Sequence, residues 1–87
     1  MPTLFIPAPI RELTRGKASV VVSGSNVREA IESLDAQYPG VKERLCDGEK
    51  IRPNISVMVD GQVSNLKIRE KLTDDSEVHF VIAISGG

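Results

Sequence analysis

The first quarter of the chain contains two short apolar runs with the composition of β-strands. Residues 3–6 are mostly β-branched or aromatic and lie between Pro2 and Pro7, and residues 18–23 include three consecutive valines. β-Branched and aromatic residues favour strands, and proline is confined to the ends and edges of strands. Because a loop at residues 8–16 separates the two runs by a short distance in the chain, the pattern predicts that they pair as a hairpin.

The apolar spacing then lengthens to that of an α-helix. Apolar side chains fall at i, i+3, i+4, i+7 and i+11 and so form one stripe: Val27, Ala30, Ile31, Leu34 and Tyr38. Asn26 is a good N-cap, Glu29 is positioned to complete a capping box, and Pro39-Gly40 supplies a stop. The pattern predicts one main helix that packs on a sheet, followed by a helical turn at residues 41–46 and a loop at residues 47–50.

Strand alternation returns in the second half of the chain. Residues 55–59 are apolar at every second position, and Asp60-Gly61 then forms a strong hairpin signal before residues 62–63. Residues 65–72 are ambiguous between structures. Residues 73–76, with the sequence Thr-Asp-Asp-Ser, favour a turn that leads into the last strand.

The final run, residues 78–84, is apolar at nearly every position. Such a run is typical of a central strand that is buried on both faces, so the helix should cross one side of a sheet from whose middle the C-terminal residues depart. The element order ββαβ(β)β predicts an α+β fold. Comparison with ubiquitin supplies the strand order of a β-grasp, a mixed sheet of four to five strands packed on one main helix.

Length and charge narrow the function classes. A chain of 87 residues forms one small domain, and its composition is that of a soluble globular protein. The net charge of -1, with basic and acidic residues interspersed, argues against nucleic-acid binding. Cys46 is the only cysteine, which excludes an intrachain disulfide and fits a reducing, cytoplasmic compartment. Neither a signal peptide nor a membrane-spanning run is apparent, so no membrane association is expected.

No constellation of catalytic or metal-ligating residues is apparent in the sequence. His79 is the only histidine, and its two neighbours in the final strand point to the opposite face, so we expect it to be exposed. Cys46 lies beside Asp47, whose charge should raise the thiol pKa, and we expect a half-buried apolar residue there. Asp74-Asp75 is explained by the turn. We therefore predict no metal site, no bound cofactor and no enzyme activity of the chain alone.

The residues after the final strand carry the most distinctive chemistry. Gly86-Gly87 follows the strand without a cap, and glycine can enter narrow channels that are closed to residues with a Cβ. The α-carboxylate of Gly87 is an anion at neutral pH and must be activated before it can react. An extended segment 85–87 would reach about 10 Å beyond the sheet, far enough to enter a partner's active site. The simpler alternative is a frayed end.

Taken together, the chain resembles the MoaD/ThiS family of ubiquitin-like sulfur carriers over nearly its whole length. The segments that carry the resemblance are residues 10–14, the helix at 27–34 with Tyr38-Pro39, Asn54, residues 72–78 and the end at 84–87. The resemblance implies a β-grasp domain over residues 1–84 and a flexible tail over 85–87. It also implies that an E1-like enzyme adenylates Gly87 with ATP, and that the adenylate becomes a thiocarboxylate.

The same resemblance suggests the partners. Ile84, Ser85 and Gly86 would thread the partner's channel, and Phe5 or Phe80 would contribute to a docking patch on the open sheet face. Acceptors in the family include cysteine synthases and the large subunit of molybdopterin synthase, and residues 38–47 and 52–55 are most similar to the carriers for cysteine biosynthesis. The alternatives are the small subunit of molybdopterin synthase, a ubiquitin-like protein modifier and an inert β-grasp binding module.

Overall fold

The computed structural model describes residues 1–83, so the predicted site residues Ile84, Ser85, Gly86 and Gly87 lie outside the described residues. The strands are β1 (Thr3–Phe5), β2 (Ser19–Val21), β3 (Cys46–Asp47), β4 (Lys50–Ile51), β5 (Ile55–Val59), β6 (Gln62–Val63) and β7 (Glu77–Ile82). The α-helices are α1 (Val27–Gln37) and α2 (Val41–Leu45), and two 3₁₀ helices cover Ala8–Thr14 and Lys67–Arg69. No described helix has the length and apolar character needed to cross a membrane.

Five of these strands form one mixed sheet in the order β2-β1-β7-β5-β6. β1 is antiparallel to β2 and parallel to β7, and β5 is antiparallel to both β6 and β7. The predicted hairpins are confirmed, including the turn at Asp60-Gly61, where both residues have positive φ. The final strand is the central one, as predicted, and a separate small hairpin joins β3 and β4.

Helix α1 begins and ends where its sequence predicts. The Asn26 side chain accepts a hydrogen bond from the Glu29 backbone N–H at 2.8 Å. The Glu29 carboxylate does not close the predicted capping box on Asn26, because it accepts from the backbone N–H of Ser25 at 2.8 Å and from the Ser25 hydroxyl at 2.7 Å. The apolar stripe of the helix is buried against the sheet, with Tyr38 half-buried at its end. These contacts place a single helix layer on one face of the sheet.

The structure differs from the sequence predictions in four segments. The loop predicted at residues 47–50 is part of a small hairpin, because β3 and β4 pair there. The loop predicted at residues 8–16 contains a 3₁₀ helix whose Ile10 side chain enters the core, and the ambiguous residues 65–72 contain a second 3₁₀ turn. β7 is not buried on both faces as predicted, because its side chains alternate between buried and exposed. Within residues 1–83 helices cover one face of the sheet, so the outward half of the strand faces solvent despite its apolar composition.

Candidate functional site

The end of β7 is the last part of the described chain before the C-terminal residues. β7 lies between β1 and β5, and the backbone N–H of Ala83 donates a hydrogen bond of 2.7 Å to the Asn54 carbonyl just before β5. This bond is the last backbone contact of β7 in the part of the chain that the structure describes. Residues 84–87 therefore follow directly from the central strand of the sheet.

The open face of the sheet carries a row of aromatic and apolar side chains that leads toward the end of β7. The Phe5 and His79 rings stack with centroids 4.1 Å apart and an angle of 5° between their planes. Their strands place them side by side, since Phe5 of β1 pairs with His79 of β7 and His79 pairs with Met58 of β5. Val81, two residues beyond His79, extends the row toward the strand end and is 48% exposed. These four residues, Phe5, Met58, His79 and Val81, are called the open-face patch.

Phe80 does not belong to this patch. Its side chain is 4% exposed and lies in the core on the helix side of β7, with Val78. Successive side chains of a strand point to opposite faces of the sheet, so Phe80 points away from the face that its neighbours His79 and Val81 share. The prediction that Phe80 contributes to a docking patch on the open face is therefore wrong. The alternation itself is the sequence signal that separates the two aromatics and adds His79 and Val81 to the outward set.

A second feature lies at the same end of β7 but on its helix side. A cavity of about 310 Å³ is lined by apolar Pro9, Ile10 and Ile82 and by the basic side chains of Arg44 and Arg52. Asn54, whose carbonyl accepts from Ala83, also lines it. We call this cavity the exit groove. Sequence inspection did not single out its two arginines, because residues from four separate segments of the chain meet there only in the folded molecule.

The titratable groups of residues 1–83 bear on two kinds of reaction centre, a metal-holding cluster and a reactive thiol. Residues 1–83 contain no group of three or more His, Cys, Asp or Glu side chains placed to hold a metal ion. Cys46 is buried, and burial raises the pKa of its thiol although Lys42 and Arg52 oppose this. The sequence suggested that Asp47 raises this pKa, but the cause is burial and Asp47 does not contribute. A thiol with a raised pKa is a weak nucleophile at neutral pH.

Comparison with known proteins identifies the family. The model of the ThiS family matches residues 4–87. The chain belongs to the ThiS family. The match begins in β1 and continues through Gly87, so it includes both the folded body and the terminal glycines.

Individual relatives agree with this assignment. The sulfur carrier protein CysO of Mycobacterium tuberculosis is 29% identical over 98% of this chain and 97% of its own length. A chain in the crystal structure of the Amycolatopsis orientalis BexX/CysO complex has 28% identity and a TM-score of 0.93, with full coverage of both chains. The small archaeal modifier protein 1 of Methanosarcina acetivorans has 21% identity and a TM-score of 0.83 over 99% of this chain and 95% of its own. The predicted ubiquitin-like β-grasp fold is confirmed, and the likeness to CysO supports a sulfur-carrier role.

Proposed function

We propose that this chain is a sulfur carrier whose working group is the C-terminal carboxylate of Gly87. Membership of the ThiS family through residue 87 is the observation that carries the proposal. The architecture supports it as well, because β7, the last described strand before the terminal glycines, is the central strand and ends beside an apolar patch and a groove with two arginines. The body offers no competing metal centre among residues 1–83, and its one thiol is buried.

The chemistry proceeds in two displacement steps on a separate activating enzyme. The Gly87 carboxylate oxygen attacks the α-phosphorus of ATP, pyrophosphate leaves, and an acyl-adenylate forms. A sulfide nucleophile then attacks the acyl carbon, the bond to AMP breaks, and a thiocarboxylate remains on Gly87. Activation is required because a carboxylate is a poor electrophile, and its low pKa keeps it ionised at neutral pH. The carrier contributes the carboxylate that is activated, and the E1-like partner contributes ATP binding and catalysis.

The open-face patch is the proposed docking surface for this partner. Phe5 and His79 form a flat stacked surface, and Val81 and Met58 continue it across the central strands. Aromatic and apolar residues at the centre of an interface contribute most of its binding energy. Docking on this face would bring the end of β7, and with it residues 84–87, to the rim of the partner. The body can then remain outside while the terminal glycines enter a narrow site.

The acceptor is proposed to be an enzyme of cysteine synthesis. The likeness to CysO over nearly the full length of both chains supports this choice over the molybdopterin synthase small subunit. A carrier of this kind engages its acceptor transiently, whereas a synthase subunit co-purifies with its partner in a stable stoichiometric complex. Isolation of such a complex with a pterin-handling subunit would replace the cysteine assignment.

The experiment measures ATP–pyrophosphate exchange with the E1-like adenylating enzyme encoded in the same genome. The wild-type chain should support exchange, and a variant lacking Gly87 should fold normally but support none, because residues 84–87 follow the last described strand contact at Ala83. Cys46→Ser is the matched control. It removes the only thiol and should leave exchange unchanged.

Two results would contradict the proposal. Exchange that persists without Gly87 would show that its carboxylate is not the group adenylated. Loss of exchange in Cys46→Ser with the fold intact would place the chemistry on the thiol. Adducts of Gly87 on lysines of other proteins, in place of sulfur transfer, would instead identify a protein modifier.

A further inference from the structure

The cations on the helix side of the molecule divide into two groups. Arg28 contacts Glu49 at 2.8 Å and Glu32 at 3.6 Å, and Lys42 contacts Glu32 at 3.5 Å. In contrast, no ion pair joins Arg44 or Arg52 of the exit groove to a carboxylate within residues 1–83. The groove cations are thus not paired with a carboxylate, unlike Arg28 and Lys42.

Arg52 is also held in place. Its Nε and Nη2 atoms donate hydrogen bonds of 3.0 and 2.7 Å to the Glu43 carbonyl. Its backbone is fixed at both ends, since its N–H donates to the Leu45 carbonyl at 3.0 Å and its carbonyl accepts from the Ile55 N–H at 2.9 Å. A guanidinium positioned in this way loses little side-chain entropy when it binds an anion. The Glu43 side chain also lines the groove, so the three charged side chains leave one net positive charge.

The opposite end of β7 carries acidic side chains and therefore negative charge. The Asp60 carboxylate accepts a hydrogen bond of 2.9 Å from the Glu77 backbone N–H at the start of the strand. Asp74 and Asp75 lie in the preceding turn, and the only cation that pairs there within the described residues is the N-terminal ammonium, 3.1 Å from Asp74. A six-residue strand is about 20 Å long, so the two ends form separate poles. The basic end of the described body is therefore the end at which β7 finishes.

We propose that the exit groove binds an acidic segment of the adenylating enzyme, at the rim of the channel that receives Gly87. This inference rests on the proposed function. The apolar walls of Pro9 and Ile82 would take an aliphatic side chain of that segment, and Arg44 and Arg52 would pair with its carboxylates. Complementary charges of this kind orient the approaching partners and raise the association rate more than they raise the final affinity. The groove thereby selects the end of the carrier that enters the enzyme first.

The test is the concentration dependence of ATP–pyrophosphate exchange with the same adenylating enzyme. The double variant Arg44→Glu/Arg52→Glu should raise KM for the carrier by about 10-fold or more at low salt, with kcat unchanged, since like charges then face each other. Added salt should narrow the difference from wild type. Arg44→Lys/Arg52→Lys keeps both charges and should retain most of the wild-type KM.

Lys71→Glu is the matched control. Like Arg44→Glu, it reverses one charge, on an exposed residue that lines a cavity with Asp60 at the acidic pole, and its KM should stay within about 2-fold of wild type. The single variant Arg44→Glu controls for misfolding of the double variant. Its substitution should not disturb the fold, because the Arg44 side chain makes no hydrogen bond or ion pair in the part of the chain described. It should show an intermediate KM with an unchanged melting temperature.

Three outcomes would overturn the inference. A double variant that behaves like Lys71→Glu would show that the groove does not contact the enzyme. A fall in KM would indicate that the chain's own C-terminal carboxylate occupies the groove and is released by charge reversal. A wild-type dimer that the double variant abolishes would identify a second copy as the occupant. Absence of exchange with wild type would overturn the proposed function as well, whereas these three leave it standing.

Discussion

Val78 and Val81 are the same amino acid, three residues apart on the central strand, in opposite surroundings. Val78 points toward the helix and is fully buried, whereas Val81 points to the open face and is 48% exposed. A buried valine contributes about 1.5–3 kcal/mol to folding, and an exposed one contributes little. The comparison teaches that the two faces of this sheet are apolar for different reasons. The helix face stabilises the fold, and the open face is the surface that we propose for docking.

The largest expected effect tests the helix face. Leu34 lies in the apolar stripe of α1 and is fully buried in the core. Leu34→Ala should lower the free energy of unfolding by about 2–5 kcal/mol, because it removes buried methyl groups and leaves a cavity. Urea denaturation measures this loss. Exchange kinetics of the folded fraction should match wild type, and a large rise in KM without loss of stability would contradict the division between faces.

The next prediction compares the two valines directly. Val78→Ala should lower the free energy of unfolding by about 2–3 kcal/mol, since the deleted methyl groups are fully packed. Val81→Ala should change it by less than about 0.5 kcal/mol, as is usual for exposed positions. Both are measured by urea denaturation under the same conditions. Equal losses at the two sites would show that the open face is covered in the free protein.

The exposed valine also allows a test of function. Val81→Asp should leave the fold stable but raise KM for the adenylating enzyme by about 5–10-fold, because it places a charge at the centre of an apolar contact. The measurement is ATP–pyrophosphate exchange at varied carrier concentration. Ser19→Asp, an exposed substitution on the edge strand β2, is the control and should stay near wild type. The docking assignment fails if the two variants are alike.

A smaller stability effect concerns the joint between β2 and α1. Gly24 has φ of 153°, and a Cβ there would lie 2.7 Å from the Ala30 backbone nitrogen. Gly24→Ala should therefore destabilise the protein by roughly 1–3 kcal/mol, through strain and displacement of the helix from the sheet. Thermal unfolding measures it. Gly48→Ala is a useful reference, because its φ of 65° is also positive but a Cβ there would meet no atom within 4 Å. It should cost less than Gly24→Ala.

The smallest effect is a pH dependence at the start of α1. Hydrogen bonds from Ser25, chiefly from its backbone N–H, lower the pKa of the Glu29 carboxyl from its ordinary value. A lowered pKa in the folded state contributes stability above the unfolded pKa of about 4.3, and this contribution is lost as the pH falls through the folded value. Urea midpoints from neutral to acidic pH should show the loss in wild type. Glu29→Gln should lack that part of the pH dependence.

Sequence patterns were sufficient for the parts of this fold that depend on local spacing. The helix period from Val27 to Leu34 and the Asp60-Gly61 turn both determine structure through neighbours in the chain. The burial of β7 was misjudged because it depends on how many layers cover the sheet, which a single run of apolar residues does not encode. Ile10 in the core follows from a 3₁₀ helix in a segment that has the composition of a loop.

The features of the candidate site also differ in how far the sequence alone predicts them. The terminal glycines were apparent at once, because their chemistry belongs to the chain itself and needs no tertiary contact. The open-face patch is predicted only in part, since Phe5 lies on the open face as expected but Phe80 lies in the core on the opposite face. The exit groove was missed altogether, because Arg44 and Ile82 are distant in the chain and meet only through packing of α2 against the 3₁₀ helix that carries Pro9 and Ile10.

Mass spectrometry of the carrier after incubation with ATP, the adenylating enzyme and sulfide tests the central claim most directly. Fragmentation should localise one oxygen-for-sulfur exchange to Gly87, in wild type and in Cys46→Ser alike. Sulfur found on Cys46, or an unmodified Gly87 in a carrier that still delivers sulfur, would contradict the account.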